Sequence, residues 1–289
     1  NVTVVFTPAQ ARVAVQALSP DVSSYISVFA GRIADTGVDP LPIVREVLQM
    51  IRQGPRPKTE LLWASTKELY NIVQAEQAGC SIITVGYDIL DRLHVIGRSL
   101  EDSSLDMIRV ACYAHQMDKA VRLAHHCMDK GYETTINLMA VSSVSEPDLE
   151  EALKDVAKSK VPIFYLVDSF GSMHCESTEY LMRKYKEMLP GKEIGIHAHN
   201  NMQLATSNTI TALINGATML DATLLGMGRG AGNCPVEVLI AFLKNPKYRL
   251  LPLLDVIQHH VKPMQEKIDW GYHIPYLITG ALNEHPRSA

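Results

Sequence analysis

The sequence predicts an α/β fold, a parallel sheet wound by right-handed crossovers and within the size range of one α/β barrel. Three observations predict it. Strand-like and helix-like segments alternate from the first residue onward. The chain has 289 residues, 47% hydrophobic and 20% charged, enough to bury the core of one large globular domain. An apolar run also ends in two histidines, and a later strand opens into a glycine-rich loop.

Asn1-Val2-Thr3-Val4-Val5-Phe6 is β-branched and apolar and reads as a strand. Thr7 and Pro8 then supply a helix N-cap and first helical residue. Tyr25–Ala30 is a second strand, and apolar positions from Pro42 to Arg52 recur at helical spacing. Glu60–Ser65 and Ser81–Val85 are the third and fourth strands, each with a helix behind it. Ile108–Cys112 reads as a strand, but Leu105–Tyr113 also reads as the start of a long helix reaching Lys130, because no Gly or Pro interrupts residues 99–130. A helix from Asp118 to Lys130 closes on Gly131 as its C-cap. Strands Thr135–Val141, Ile163–Asp168, Ile194–His199 and Met219–Leu225 follow, with helices near Glu146–Ser159, Glu176–Met188 and Leu204–Asn215. Pro235–Leu243 and Leu250–Ile268 are helical. The count is nine strands where an eight-stranded barrel has room for one fewer. Either Asn1–Phe6 is surplus or Leu105–Tyr113 belongs to the long helix.

Ile194-Gly195-Ile196-His197-Ala198-His199-Asn200-Asn201 is the stretch around which the chemistry gathers. Alternate residues of a strand share a face, so His197 and His199 point the same way and can hold one divalent cation if a carboxylate joins them. Met219 to Pro235 is a strand opening into Gly226-Met227-Gly228-Arg229-Gly230-Ala231-Gly232-Asn233. Its glycines let backbone approach a ligand, and the helix that follows offers its N-terminus to anions.

These two segments resemble the metal-dependent aldolases and lyases of the 3-hydroxy-3-methylglutaryl-CoA lyase-like family, above all the 4-hydroxy-2-oxovalerate aldolases. The likeness covers roughly residues 105–289. It implies a (β/α)8 TIM barrel, a closed parallel sheet with outer helices, here with a C-terminal helical extension. The first third is similar to another family. Asn-Val-Thr-Val-Val-Phe, Tyr-Ile-Ser-Val-Phe-Ala-Gly-Arg-Ile, Leu-Leu-Trp-Ala-Ser and Ile-Ile-Thr-Val resemble the last four strands of transaldolases. The resulting expectation is one barrel domain, with residues 1–104 transaldolase-like, 105–245 lyase-like and 246–289 a C-terminal helical segment. The handover falls at Leu100–Met107.

By these resemblances His197, His199 and Asn233 are metal ligands. The family's third ligand is an aspartate in an Arg-Asp-Gly sequence on a first strand that is absent here. Asp35, three residues after Arg32, is the substitute. Arg32 also inherits a transaldolase phosphate-binding role, or else forms a structural salt bridge. No lysine within residues 1–105 lies in a strand, so Schiff-base chemistry has no base to run on. Asp168, at a strand end, faces an active site or caps the next loop. Gly228, Arg229 and Gly230 are substrate-binding candidates, with Arg229 suited to a carboxylate. Tyr276, in Trp270-Gly271-Tyr272-His273-Ile274-Pro275-Tyr276, falls at the position of the aldolases' catalytic tyrosine.

The implied cofactor is Mn²⁺, Mg²⁺ or Zn²⁺, and the implied substrate is a 2-oxo acid or a sugar phosphate. The net charge of −4 and the absence of a polybasic stretch argue against nucleic acid and anionic membrane as partners. No apolar run is long enough to span a bilayer and no signal peptide opens the chain, so a cytoplasmic protein is expected, with a homo-oligomer left open. The five scattered cysteines read as reduced thiols, with Cys234 in the loop as the accessible one. Two functions compete: a working metal-dependent aldolase or lyase, and a hybrid barrel, natural or engineered, that folds without catalysis. Transaldolase-like sugar-phosphate binding through Arg32 is the third.

Overall fold

The computed structural model of the protein describes residues 1–54, 57–90, 105–243 and 247–286. Its strands are β1 (Val2–Val5), β2 (Ser24–Val28), β3 (Thr59–Trp63), β4 (Ile82–Gly86), β5 (Met107–Cys112), β6 (Glu133–Leu138), β7 (Ile163–Asp168), β8 (Glu193–Ala198), β9 (Met219–Leu220) and β10 (Ala222–Thr223). Its helices are α1 (Pro8–Ala17), α2 (Ala30–Asp35), α3 (Pro40–Gln53), α4 (Tyr70–Ala78), α5 (Tyr87–Leu90), α6 (Met117–Asp129), α7 (Glu146–Lys158), α8 (Cys175–Met188), α9 (Ala205–Ile214), α10 (Val236–Leu243), α11 (Leu250–Val256), α12 (Lys262–Gln265) and α13 (Ile274–Ala281). The fold is α/β, of the TIM-barrel class.

All nine segments read as strands are strands, which corrects the expectation that one would be lost. Residues 107–112 are extended and almost wholly buried, the pattern of a strand covered on both faces rather than of an amphipathic helix. Met107 N donates to Ser81 O at 3.0 Å. Of the expected handover, residues 100–104 lie outside the described residues. The last strand is interrupted at Asp221, leaving β9 and β10, and Leu225 then turns the chain at φ 51°. The helix expected over Leu250–Ile268 is α11, a π-helical turn at Ile257–Val261, and α12.

The chain divides into two compact units. One comprises residues 1–108, 223–225 and 236–269; the other comprises 109–222, 226–235 and the segment from Trp270 onward.

In the first unit β1, β2, β3 and β4 pair in parallel with sequential neighbours. Thr7 caps α1 through a capping box with Gln10, which is why the helix starts where the sequence predicts. Val5, Ile26, Val28 and Trp63 are fully buried in its core.

In the second unit β6, β7, β8 and β9 are parallel neighbours, with Tyr165 opposite Gly195 and Val167 opposite His197. The Tyr165 ring lies where a Gly195 side chain would be: an added Cβ would come 2.5 Å from it. Glycine is thus demanded there by packing, not by a turn. Phe164, Leu166, Ile136 and Leu138 fill the core beside it. Among the described residues no helix is long and apolar enough to cross a membrane.

Candidate active site

The second unit gathers most of the candidate residues at the carboxyl ends of its strands. His197 is the penultimate residue of β8 and His199 follows the strand, their rings 5.2 Å apart and edge to face. An isolated antiparallel bridge joins His199 to Asn233, so the glycine-rich loop folds back beside the pair. Asn200 N donates to Gly232 O at 2.8 Å, and Asn233 N to Gly226 O at 2.9 Å. Gly228 makes that fold possible, because a Cβ there would lie 2.4 Å from Asn233 Nδ2.

Asp221, at the break between β9 and β10, is buried beneath the histidines. Its Oδ2 lies 3.0 Å from His197 Nδ1 and accepts from Arg109 Nη2 at 2.9 Å. Arg109, on β5, also stacks over the Tyr165 ring at 4.5 Å. Burial alone would raise the Asp221 pKa, but the Arg109 guanidinium and His197 outweigh it and hold the carboxyl well below the usual range. An ionised carboxylate only accepts, so Nδ1 of His197 carries the proton and its Nε2 lone pair is left for a ligand.

His199 has the opposite surroundings. Burial, then the nearby Arg229 and His197, push its pKa well below the ordinary imidazole value, so it is neutral. Its Nε2 lies 3.4 Å from Arg229 Nη2, while Nδ1 is buried with no partner among the described residues. Arg229 also donates to Ser169 O at 2.6 Å and meets His285 Nε2 at 2.8 Å. Asn233 donates through Nδ2 to Met227 O, and its buried Oδ1 lacks a partner among the described residues.

Tyr276, in the first turn of α13, packs its ring on Gly230. Asn283 anchors the end of that helix. Its Oδ1 accepts from Ser142 Oγ and Ser172 Oγ at 2.7 and 2.6 Å, and its Nδ2 donates to Ser142 O.

Other expected site residues are placed differently. Both oxygens of Asp168 accept backbone N–H groups, from Ser172 and Met173, each at 3.1 Å. It caps the loop after β7, the second of its two expected roles. Burial, partly offset by those donors, raises its pKa to about 6. Arg32 and Asp35 stand on the short helix α2 in the first unit, half exposed and paired with each other at 3.6 Å. Lys67 also pairs with Asp35, at 3.2 Å. The carboxylate expected to complete the histidine pair thus pairs with two half-exposed cations of the first unit. Among the described residues no group of three or more His, Cys, Asp or Glu is arranged to hold a metal ion. Arg32 correspondingly serves the structural salt bridge. Cys234 is fully buried rather than accessible.

Arg109, Asp221, Asn283 and His285 are the site residues that sequence reasoning misses. A signal exists for two of them: an arginine inside Ile108-Arg109-Val110 and an acid inside Leu220-Asp221-Ala222 are charges in strand segments, and each needs a buried partner. Nothing local marks His285.

The donors present fit a divalent ion that prefers imidazole. The proton-fixed His197, the neutral His199 and the unpartnered Asn233 Oδ1 supply nitrogen and amide oxygen, as Zn²⁺ accepts. Mg²⁺ and Mn²⁺ favour more oxygen ligands than this set contains.

Fold and site together define a TIM-barrel protein with a histidine pair and a glycine-rich loop at the carboxyl ends of its strands. Residues 34–265 match the sequence model of the HMGL-like family, and the chain belongs to that family. The match begins well before residue 105, the expected start of the likeness to this family. The chain is similar to an oxaloacetate decarboxylase of Mycobacterium tuberculosis, 33% identical over 66% of this chain and 54% of that protein. It is also similar to a 4-hydroxy-2-oxovalerate aldolase of Thermus thermophilus, 33% identical over 56% of this chain and 48% of that protein. The chain thus spans about half the length of these relatives. Among solved structures, the N-terminal domain of a candidate aldolase from Bacteroides vulgatus superposes with a TM-score of 0.69 at 23% identity, covering 97% of this chain and 87% of that one. The carboxyl transferase domain of Rhizobium etli pyruvate carboxylase gives 0.64 at 14% identity, covering 96% and 49%. These two likenesses concern the fold.

Proposed function

We propose that this chain cleaves or forms a carbon–carbon bond next to a 2-oxo group, acting on a small 2-oxo acid of the 4-hydroxy-2-oxo or oxaloacetate kind. The observation that carries it is the convergence of the Asp221-backed His197, neutral His199 and the unpartnered Asn233 Oδ1 at one strand end. The names of the two relatives support the same chemistry. Aldol cleavage and decarboxylation both break the C3–C4 bond of a 2-oxo acid and leave its electron pair on an enolate of pyruvate.

His197, His199 and Asn233 would hold a divalent ion, for which Zn²⁺ suits the donors. When bound, such an ion supplies Lewis-acid polarisation of the 2-oxo oxygen. The rest falls to the chain. Asp221, anchored by Arg109, keeps the proton of His197 on Nδ1. Arg229 faces the substrate carboxylate with a planar fork of donors. Tyr276 would exchange a proton with the 4-hydroxyl oxygen of an aldol substrate. The glycines at 228 and 230 let Asn233 and the Tyr276 ring close in on the loop.

A second reading, binding without turnover, draws on the paired state of Asp35 and the lack of a three-member acid and histidine cluster among the described residues. The test is pyruvate release from 4-hydroxy-2-oxovalerate and from oxaloacetate, with Zn²⁺ or Mn²⁺ supplied. Release that disappears in His197→Ala is the expected outcome. Binding of either acid with no release by the parent would favour the second reading, and release unaffected by His197→Ala would overturn the first.

A further inference from the structure

Resting on the reading that His197 and His199 hold a divalent ion, we propose that Arg229 occupies the ligand-facing nitrogen of His199 and that His285 is the positioning residue that keeps it there. A guanidinium donates hydrogen bonds and cannot accept them. Both ring nitrogens it meets, His199 Nε2 at 3.4 Å and His285 Nε2 at 2.8 Å, are therefore acceptors. With Nε2 accepting, the ring of His199 carries its proton on Nδ1, and Nε2 is the lone pair a metal would use. That lone pair faces a permanent positive charge.

The distances say which partners govern. Arg229 is anchored through Ser169 O at 2.6 Å and His285 at 2.8 Å, both close, while the approach to His199 is long. His199 receives the guanidinium at a position that those two contacts help to set. His285 is itself held, its ring edge to face with Phe170 at 5.8 Å. A residue near the C-terminal end thus sets the charge beside the histidine pair without touching it. The site accepts an ion only when Arg229 yields, so the affinity of the histidine pair depends on His285.

The experiment is calorimetric titration of Zn²⁺ alone, at pH 8, into the parent, Arg229→Met, His285→Ala, His285→Gln and the double variant Arg229→Met/His285→Ala. His197→Ala/His199→Ala identifies binding elsewhere on the chain. The histidine-dependent site should bind Zn²⁺ about tenfold more tightly in Arg229→Met and in His285→Ala, a coupling of ordinary size. The double variant should be no tighter than Arg229→Met, because His285 acts through Arg229. The His285→Gln variant offers a carboxamide oxygen to Nη1 and should return the affinity to the parent value, which a merely space-filling His285 would not require. Unchanged or weaker affinity in both single variants overturns the proposal while leaving the histidine site standing. Absence of histidine-dependent Zn²⁺ binding in every variant overturns the site and this proposal together.

Discussion

Asp221 Oδ2 lies 3.0 Å from His197 Nδ1, and that contact fixes which nitrogen of His197 is available for chemistry. The same oxygen accepts from Arg109 at 2.9 Å, so one buried carboxylate joins β5 to the histidine strand.

Asp221→Asn keeps the shape but leaves the buried Arg109 without a countercharge at this contact. The expected cost is about 3 kcal/mol, the usual result of breaking a buried ion pair from one side. The Asp221 pKa is depressed in the folded chain, so its contribution is present above the ordinary carboxylate pKa and is lost as pH falls below it. The stability gap between parent and variant in urea should therefore be constant from about pH 7 down to about pH 4 and begin to narrow only below that. Equal stability at pH 7 would show the pair to be energetically idle.

Gly195→Ala places a methyl 2.5 Å from the Tyr165 ring, which is flanked by Arg109 and has nowhere to retreat. The expected loss is about 1–3 kcal/mol, as for other overpacked cores. Tyr165→Ala in the same chain should remove most of the added penalty, giving a coupled double-mutant cycle. Additive losses would mean that the clash is relieved elsewhere.

Asp168 titrates in the opposite sense. Its folded pKa, raised to about 6, makes its contribution largest below the unfolded value of 3.8 and lost as pH rises through 6. Asp168→Asn should remove a component of the pH–stability curve that declines between about pH 4 and 6, worth on the order of 3 kcal/mol. A parent-minus-variant difference that is flat over this interval would contradict the assignment.

Asn283 sits at φ 55°, a left-handed conformation that asparagine tolerates, and bridges Ser142 and Ser172. Asn283→Gly retains the backbone freedom and removes the bridge, isolating the side chain's contribution. The expected cost is about 1–2 kcal/mol, with faster amide exchange across α13, where Tyr276 resides. Undiminished protection of Ile274–Ala281 would mean that packing alone holds the helix.

The sequence by itself determined what depends on near neighbours along the chain. β-branched runs marked the strands, Thr7 and Pro8 marked the start of α1, and the His-x-His spacing put two imidazoles on one face. These follow from local sterics and from the two-residue repeat of a strand. It left Leu105–Tyr113 open between strand and helix, because a buried strand such as β5 and a buried helix share an unbroken apolar pattern. Tertiary structure decided the partners. Arg109 and Asp221 are 112 residues apart, Ser142 and Asn283 are 141 apart, and neither pairing has a local signature. Asp35, offered by the sequence as a substitute for the family's absent aspartate, pairs with its own neighbour Arg32 and with Lys67. Which carboxylate meets which cation is settled by strand register and by the cost of leaving a buried charge unpaired, and register is a property of the folded sheet.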